Sequence, residues 1–324
     1  MNSNTSDGSV AVGVIGAGSM GQNHVRVYDE VSGANLVGIT DVDTERANKI
    51  AAEFGTTALS QESLLEQADA VSIAVPTQFH HDVAAECFDS GVHTLIEKPI
   101  APTAETAEEI CQLASAAGVK LQIGHIERFN PAVQTLLDIV PELDVIAVSA
   151  ERLGPPIERE IDDTVVLDLM IHDIDVVRSL LDEEPEDIDT TGVESGRYAT
   201  ATIEFDGGTI GRLTASRVTQ QKTRQLVVTA QDCVVEIDYI DQSVEIHYDS
   251  APEYVERDGD VRYRHESVVE RPVVENGEPL RAEIEAFLDA IRRNKEPVVT
   301  GEDGTDALRI ARQIDEAAFG LQDS

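Results

Sequence analysis

The feature of this sequence that constrains its fold most is a glycine-rich turn near the start of the chain. An apolar, β-branched run at residues 10–15 leads directly into this turn, and a stretch with helical character follows it up to residue 31. A GxGxxG turn between a strand and a helix indicates a dinucleotide-binding site, because the glycines allow a tight turn and the close approach of a pyrophosphate to the helix N-terminus. We therefore predict cofactor contacts at Gly16, Gly18, Ser19, Met20 and Gly21.

The next strand-like run, at residues 36–40, ends at Asp41, which lies 20 positions after Gly21. A carboxylate at this point can accept hydrogen bonds from both hydroxyls of an adenosine ribose and would repel a 2′-phosphate. No arginine follows Asp41 until Arg46. The sequence therefore predicts NAD rather than NADP as the cofactor.

Alternation of strands and helices continues as far as Gly124, and it predicts an α/β Rossmann domain with a doubly wound parallel sheet. After Gly124, strand-like runs recur between residues 188 and 247, which predicts an α+β domain with a large, mainly antiparallel sheet. We expect a disordered tail at residues 1–9, an NAD-binding domain at 10–124 and a substrate-binding and oligomerisation domain at 125–324. Only the late helices remain to cover the large sheet, so we expect an open apolar face and a homo-oligomer, either a homodimer or a homotetramer.

Two short stretches carry candidate chemical groups. Lys98 follows the buried run at residues 94–96, where a parallel strand would reach the ligand-binding edge of its sheet, although a solvated loop lysine would have the same pattern. Asp168 and His172 are four residues apart on an apolar helix, either as a general base with its orienting carboxylate or as a helix-stabilising pair. On the same helix, Asp173 and Asp175 are interpreted as solvated.

The composition excludes several classes of protein. The chain has 324 residues and a net charge of −38, with 62 acidic side chains against 24 Lys and Arg. This charge balance argues against nucleic acid as a partner and is typical of halophilic proteins that dissolve in molar salt. We expect no membrane association and a cytoplasmic location, because there is no long apolar run and no apolar signal core. The three cysteines are far apart without CxxC spacing, so no metal site is predicted.

The order of the motifs resembles the Gfo/Idh/MocA family of sugar dehydrogenases, which is named after glucose-fructose oxidoreductase, inositol dehydrogenase and a rhizopine-catabolism protein. The resemblance covers essentially the whole chain after Ser9 and rests on the glycine turn, Asp41 and the segments at residues 74–80, 97–99, 128–131, 168–175, 279–287 and 299–304. It implies an NAD-dependent enzyme that transfers a hydride from a sugar hydroxyl carbon, with its antiparallel sheet set against a second subunit.

Within that resemblance, Lys98, Asp168 and His172 match the catalytic residues of the family. His172 would be the general base, Asp168 would orient it, and Lys98 would stabilise the developing alkoxide. The resemblance further implies cofactor contacts at Pro76, Thr77, His80, Glu97 and Lys98.

A narrower set of motifs, at residues 23–28, 124–131 and 152–155, resembles archaeal members of the family that oxidise UDP-N-acetylglucosamine at the 3-hydroxyl. It implies substrate contacts from Arg128, Asn130, Arg152 and His172, with the two arginines as partners of the diphosphate. A free-sugar or inositol dehydrogenase is the alternative enzyme, and a non-catalytic ligand sensor with the same fold is an alternative from another class. The simultaneous presence of Lys98, Asp168 and His172 argues against the sensor.

Overall fold

A computed structural model describes residues 8–156, 163–193, 196–248, 253–257, 260–264 and 267–320. Most of the predicted tail at 1–9 therefore lies outside the described residues. The chain divides into two compact units. The first comprises Met1–Phe129 and Gly277–Ile310, and the second comprises Asn130–Asn276 and Ala311–Ser324.

The first unit contains the predicted parallel sheet with helices between its strands. Its elements in chain order are β1 (Val10–Ile15), α1 (Ser19–Glu30), β2 (Ala34–Thr40), α2 (Thr44–Glu53), α3 (Gln61–Leu65), β3 (Ala70–Ile73), α4 (His80–Asp89), β4 (His93–Glu97), α5 (Ala104–Ala117) and β5 (Leu121–Gly124). The strand order is β2-β1-β3-β4-β5, and every neighbouring pair is parallel. This is the doubly wound arrangement that the sequence predicts. Its ligand-binding edge is the one where the strands end.

The remaining elements follow in chain order: α6 (Pro131–Ile139), β6 (Val145–Leu153), α7 (Ile171–Leu181), β7 (Pro185–Val193), β8 (Tyr198–Phe205), β9 (Ile210–Ser216), β10 (Thr223–Ala230), β11 (Cys233–Asp238), β12 (Ser243–Tyr248), β13 (Glu253–Arg257), β14 (Asp260–Arg264), β15 (Val268–Glu270), α8 (Pro279–Arg292) and α9 (Gly301–Phe319). Eight of the strands form the large sheet of the second unit, in the order β15-β12-β11-β10-β6-β9-β8-β7. The β6–β9 pair is parallel and the other pairs are antiparallel, so the prediction of a mainly antiparallel sheet is confirmed.

One face of this large sheet is covered by two helices that the sequence analysis did not assign to this role. Helix α6 packs on β11 and β12, and α7 packs on β6 and β9. The covered face buries alternate apolar residues such as Leu213, Leu226 and Val228. The opposite face carries half-buried and exposed polar side chains, among them Thr202, Arg212 and Thr214. The prediction that the open face is apolar is therefore wrong, because most of its outward side chains carry a hydroxyl group or a charge.

Helix α8 belongs to the first compact unit, although it lies late in the chain. The sequence analysis assigned the whole of 125–324 to the second domain, whereas residues 277–310 belong to the first unit. Ile284, Phe287 and Leu288 are fully buried in one apolar cluster with Val12 and Tyr28 of the parallel sheet and α1. The apolar spacing on α8 predicts a helix with one buried face. It does not reveal which sheet that face covers.

Candidate active site

The glycine turn has the steric features that a close backbone approach requires. Gly16 has φ +103°, and a Cβ there would lie 2.5 Å from the carbonyl oxygen of Ala74. A Cβ on Gly21 would lie 1.8 Å from the carbonyl oxygen of Gly16, so a larger residue would push α1 away from the turn. Gly18 is the N-cap residue of α1, where Ser19 is exposed and Met20 is half-buried. The turn thus presents the N-terminus of α1 at the carboxyl edge of the sheet.

Asp41 lies directly after β2 and is tied to the glycine turn. Its Oδ2 accepts a hydrogen bond from the backbone N–H of Ala17 at 2.5 Å, and its Oδ1 accepts from the N–H of Asp43 at 2.7 Å. Arg46 Nη2 also donates to Oδ1 at 3.2 Å. Sequence analysis placed Arg46 too far along the chain to matter, but the first turn of α2 returns its guanidinium to Asp41.

This pairing leads to a prediction about cofactor choice. Asp41→Ala is expected to lower kcat/KM for NAD and to raise kcat/KM for NADP, each on the order of 10-fold. The carboxylate that repels a 2′-phosphate is then gone, and Arg46 becomes available to it. Steady-state rates with both cofactors measure the change. The double variant Asp41→Ala/Arg46→Ala should lose the gain with NADP, and an unchanged preference in Asp41→Ala would contradict the role of Asp41.

Lys98 occupies the predicted position at the rim of the parallel sheet. Strand β4 ends at Glu97, and the half-buried Lys98 follows it directly, joined to Pro99 by a cis peptide bond. Pro76 and Thr77 follow β3 at the same edge, where Pro76 is exposed and Thr77 begins a short 3-10 turn. These residues and the glycine turn therefore share the edge at which ligands of such sheets bind.

Two residues predicted to contact the cofactor have inward-facing side chains in the structure. Glu97 is buried, and its Oε1 lies 2.7 Å from Nε2 of His24. His80 is only 1% exposed. Its Nε2 lies 2.9 Å from the carbonyl oxygen of Val75, and its Nδ1 lies 3.1 Å from that of Pro99. Burial lowers the pKa of His80, and the surrounding carbonyls oppose that shift. A direct cofactor contact from His80 is thus at odds with its burial, since its ring nitrogens face the backbone.

His125, directly after β5, is a further histidine that the sequence analysis did not assign to the site. Its ring is fully buried, and burial lowers its pKa to about 3, with the positive charges of Lys98 and Arg128 acting in the same direction. The ring is therefore neutral near pH 7. Arg128 is half-buried in the short helical turn Ile126–Phe129. The electrostatic influence of both cations on His125 indicates that Lys98 and Arg128 lie in one neighbourhood of the first unit.

In the second unit, Asp168 and His172 lie on either side of a junction between two kinds of helix. Residues Val166–Met170 form a π-helical turn, and α7 begins at Ile171. The π turn interrupts the α-helical spacing on which the predicted shared face depends, and such turns are frequent at functional sites. Arg217 Nη2 donates to Asp168 Oδ2 at 2.5 Å, and its Nη1 donates to the carbonyl oxygen of Asp163 at 2.9 Å. Sequence reasoning missed Arg217, which directly follows β9.

Two residues predicted to bind substrate have structural partners instead. Arg152 is 4% exposed, and its Nε and Nη2 each donate to Asp173 at 2.8 Å. Its guanidinium also lies over the ring of Tyr239, 5.0 Å from the centroid. Asn130 is buried, accepts a hydrogen bond from the N–H of Ala132 as the cap of α6, and donates to the carbonyl oxygen of Tyr239. The guanidinium of Arg152 is thus paired with a buried carboxylate, an arrangement that does not favour the predicted contact with a diphosphate.

Asp173 and Asp175 correct a second expectation about α7. Both were interpreted as solvated, yet each is only 2% exposed. Asp173 is buried because it forms the bidentate ion pair with Arg152. A carboxylate in the buried part of a helix needs such a partner, and Arg152 lies on β6, far away in sequence.

The comparison with protein families agrees with this architecture. Residues 10–125 match the Gfo/Idh/MocA "Oxidoreductase family, NAD-binding Rossmann fold", and residues 157–320 match the "Oxidoreductase family, C-terminal alpha/beta domain" of the same group. This chain belongs to the Gfo/Idh/MocA family. As a member, it is an NAD-dependent dehydrogenase that acts on CH–OH groups.

Two named relatives and one crystal structure are similar over almost the whole chain. The UDP-N-acetylglucosamine 3-dehydrogenase of Acidithiobacillus ferrooxidans is 35% identical over 310 residues, covering 93% of this chain and 95% of the relative. A solved structure of that enzyme has a TM-score of 0.87 at 34% identity and covers 96% of this chain and 97% of its own. An inositol 2-dehydrogenase of Rhizobium meliloti is 26% identical over 321 residues, covering 94% of this chain and 95% of the relative. Among the described residues, no helix is both long and apolar enough to span a membrane.

Proposed function

We propose that this protein oxidises the 3-hydroxyl of UDP-N-acetylglucosamine and transfers the hydride to NAD. The observation that carries the proposal is the similarity to the Acidithiobacillus ferrooxidans enzyme, which extends over both units at 35% identity and a TM-score of 0.87. Inositol dehydrogenases align over the same length with lower identity. A free-sugar or inositol dehydrogenase is therefore the second candidate. A non-catalytic sensor would not need the three charged or titratable groups described next.

The mechanism that we propose assigns one role to each of these groups. His172 takes the proton of the reacting hydroxyl as the general base. Asp168 orients the imidazole, and the ion pair with Arg217 keeps this carboxylate in place. Lys98 donates a hydrogen bond to the reacting oxygen and stabilises its negative charge while the hydride leaves the carbon. NAD accepts the hydride, and the protein supplies binding and orientation.

The diphosphate of a UDP-sugar needs a cationic partner, and the burial of Arg152 favours Arg128 for this role. Arg152 is neutralised by Asp173 in the interior of the second unit. We therefore retain Arg128, which is half-buried beside the carboxyl edge of the parallel sheet, as the proposed partner of the diphosphate. A planar guanidinium suits this role because it can form two parallel hydrogen bonds to phosphate oxygens.

Formation of NADH with a panel of substrates tests the proposed function. UDP-N-acetylglucosamine is expected to exceed free N-acetylglucosamine, glucose and myo-inositol in kcat/KM by roughly 100-fold or more, because the free sugars lack the diphosphate contacts. Arg128→Ala should raise KM for the nucleotide sugar and leave kcat nearly unchanged. Equal efficiency with a free sugar or inositol would overturn the nucleotide-sugar proposal and favour the second candidate. Absence of NADH with every compound would favour a sensor.

We also propose that this is a halophilic protein of haloarchaeal type that works in the cytoplasm. The support is its net charge of −38. Dialysis from molar potassium chloride to about 0.1 M is expected to abolish activity and lower helical circular dichroism, because the Debye length grows from about 3 Å to about 10 Å and self-repulsion is no longer screened. An equal concentration of sucrose in place of salt serves as the control for osmotic effects. Full activity and an unchanged spectrum at low salt would contradict this proposal.

We further propose that the outward face of the eight-stranded sheet joins two copies in a homodimer or homotetramer. The support is its extent of eight strands, together with half-buried small side chains such as Ser149, Thr214 and Val227 that allow two sheets to approach closely. Sedimentation equilibrium in molar salt is expected to give a dimer or tetramer. Arg212→Glu, an outward-facing charge reversal, should weaken the assembly, and a monomer at micromolar concentration would contradict the proposal.

A further inference from the structure

A chain of buried hydrogen bonds runs through the first unit and ends beside Lys98. Tyr28 Oη lies 2.8 Å from Ser72 Oγ, which lies 2.9 Å from Nδ1 of His24. Nε2 of the same imidazole lies 2.7 Å from Oε1 of Glu97. Tyr28, Ser72 and His24 are each at most 1% exposed. Helix α1 is thereby joined through the middle of the sheet to the last residue of β4.

The direction of the last bond follows from how the hydroxyl protons are assigned, because only one ring nitrogen of a neutral imidazole donates. Tyr28 can donate to Ser72 and Ser72 to His24, or the two bonds can run the opposite way with Nδ1 of His24 as donor. In the first case Nε2 of a neutral imidazole carries the proton and donates it to the carboxylate of Glu97, whereas in the second case Nε2 accepts a proton from the carboxyl group of Glu97. In either case the bond holds the Glu97 side chain against His24. A Cβ on Gly124 would lie 3.1 Å from Glu97 Oε2, so a residue larger than glycine at this position would crowd the carboxylate. His24 therefore fixes the side chain that immediately precedes Lys98.

A second buried histidine holds the residues that follow Lys98. His80, the first residue of α4, has Nδ1 3.1 Å from the carbonyl oxygen of Pro99 and 3.2 Å from that of Ile100. Its Nε2 lies 2.9 Å from the carbonyl oxygen of Val75, which follows β3. The ring of His80 thus lies between the backbone after β3 and the backbone on the C-terminal side of Lys98, and its neutral form donates to one of these two segments at a time.

The buried chain serves to hold a geometry rather than to carry protons or a metal ion. It ends at Tyr28, which is 1% exposed and whose pKa is raised by burial, so it offers no exit to solvent. A carboxylate oxygen of Glu283 lies within 4.8 Å of the ligand atoms of His24 and Glu97, a combination that can hold a divalent ion. However, the 2.7 Å between His24 and Glu97 is the length of a charge-assisted hydrogen bond with a proton between the two atoms.

We propose that His24 and His80 are positioning residues that hold the backbone on both sides of Lys98 in the geometry required for hydride transfer. This inference rests on the catalytic role proposed for Lys98. The two imidazoles lie against Glu97 on one side of Lys98 and against Pro99 and Ile100 on the other, so they hold the backbone around the lysine. A misplacement of about 1 Å at a reacting group can cost on the order of 100-fold in rate, which is enough for these contacts to control kcat.

The experiment compares His24→Phe and His80→Phe with Lys98→Met in the full-length protein. Each histidine variant is expected to lower kcat by about 10- to 100-fold with little change in KM for NAD. His24→Gln and His80→Gln keep an amide donor near the same acceptors and should recover part of kcat; they replace the phenylalanine variants if those do not fold. His81→Gln is the matched control, because this neighbour of His80 lies on the surface of α4, and it should retain the full rate.

Non-additivity distinguishes positioning from a general structural role. In a Lys98→Met background, His24→Phe should cause no further loss of kcat, because the group that it positions is already absent. Additive losses, a rise in KM for NAD without a loss of kcat, or one tightly bound divalent ion per chain by elemental analysis would each overturn the inference. If Lys98→Met is inactive and the histidine variants keep the full rate, only this inference fails. If Lys98→Met is fully active, the proposed role of Lys98 fails and the inference falls with it.

Discussion

His172→Ala is expected to lower kcat by about 10²- to 10⁴-fold while KM for NAD changes little. The reason is that the sugar hydroxyl must lose its proton as the hydride leaves, whereas His24, His80 and His125 are all buried in the first unit. Initial rates of NADH formation at saturating NAD measure the effect. Exogenous imidazole should restore part of the rate, since it can enter the space left by the side chain and accept the proton.

His247→Ala is the matched control, because His247 is a partly exposed histidine on β12 whose Nε2 lies 3.5 Å from a carboxylate oxygen of Glu245. It should keep the full rate. Lys98→Arg retains the charge but replaces a compact ammonium with a wide guanidinium, so it should lower kcat almost as much as Lys98→Met. A His172→Ala variant with more than about one tenth of the original kcat would exclude general-base catalysis by His172.

Arg152→Ala is expected to destabilise the second unit by about 3–5 kcal/mol. The substitution leaves Asp173, which is 2% exposed, as a buried carboxylate without its bidentate partner. It also removes the guanidinium that packs over Tyr239. Denaturant unfolding in high salt, followed by circular dichroism, measures the loss. Since the pair is buried, adding more salt should not restore the stability.

Two further variants separate the buried charge from the loss of side-chain volume. Arg152→Met together with Asp173→Leu replaces both charges with apolar groups of similar size and should recover most of the lost stability. Arg293→Ala removes an exposed arginine paired with Asp289 on α8 and should change stability by less than about 1 kcal/mol. If Arg152→Ala instead leaves stability intact and raises KM for the nucleotide sugar, the original prediction of a diphosphate contact is restored.

The sequence predicts the parts of the fold that follow from local spacing. The glycine turn, Asp41 after β2 and Lys98 after β4 are all located where the alternation of strands and helices predicts them. Each depends on contacts close in sequence or on the general rule that parallel strands end at one edge. The mainly antiparallel character of the large sheet is predicted for the same reason, because its strands are joined mostly by short turns.

The errors concern charged side chains and their distant partners. Arg152 and Asp173 were both assigned to solvent or substrate, since nothing in a linear sequence shows that β6 and α7 bring the two together. His24 looks like an ordinary helix residue and His80 like a cofactor contact, until strands β3 and β4 supply Ser72, Glu97 and the backbone carbonyls around them. The sequence also does not predict the π turn before α7, because no residue type specifies such a turn. The role of such residues depends on whether they are buried, and burial is known only from the folded chain.

The return of residues 277–310 to the first unit has a consequence for the order in which the protein is made. Domains that are continuous in sequence can fold as they leave the ribosome, N-terminal domain first. Here the apolar cluster around Val12 lacks Phe287 and Leu288 until nearly nine tenths of the 324 residues have been synthesised. The cofactor domain begins the chain, but its apolar core is complete only after α8 has been synthesised. A nascent chain stopped at residue 276 would therefore expose the surface that α8 covers.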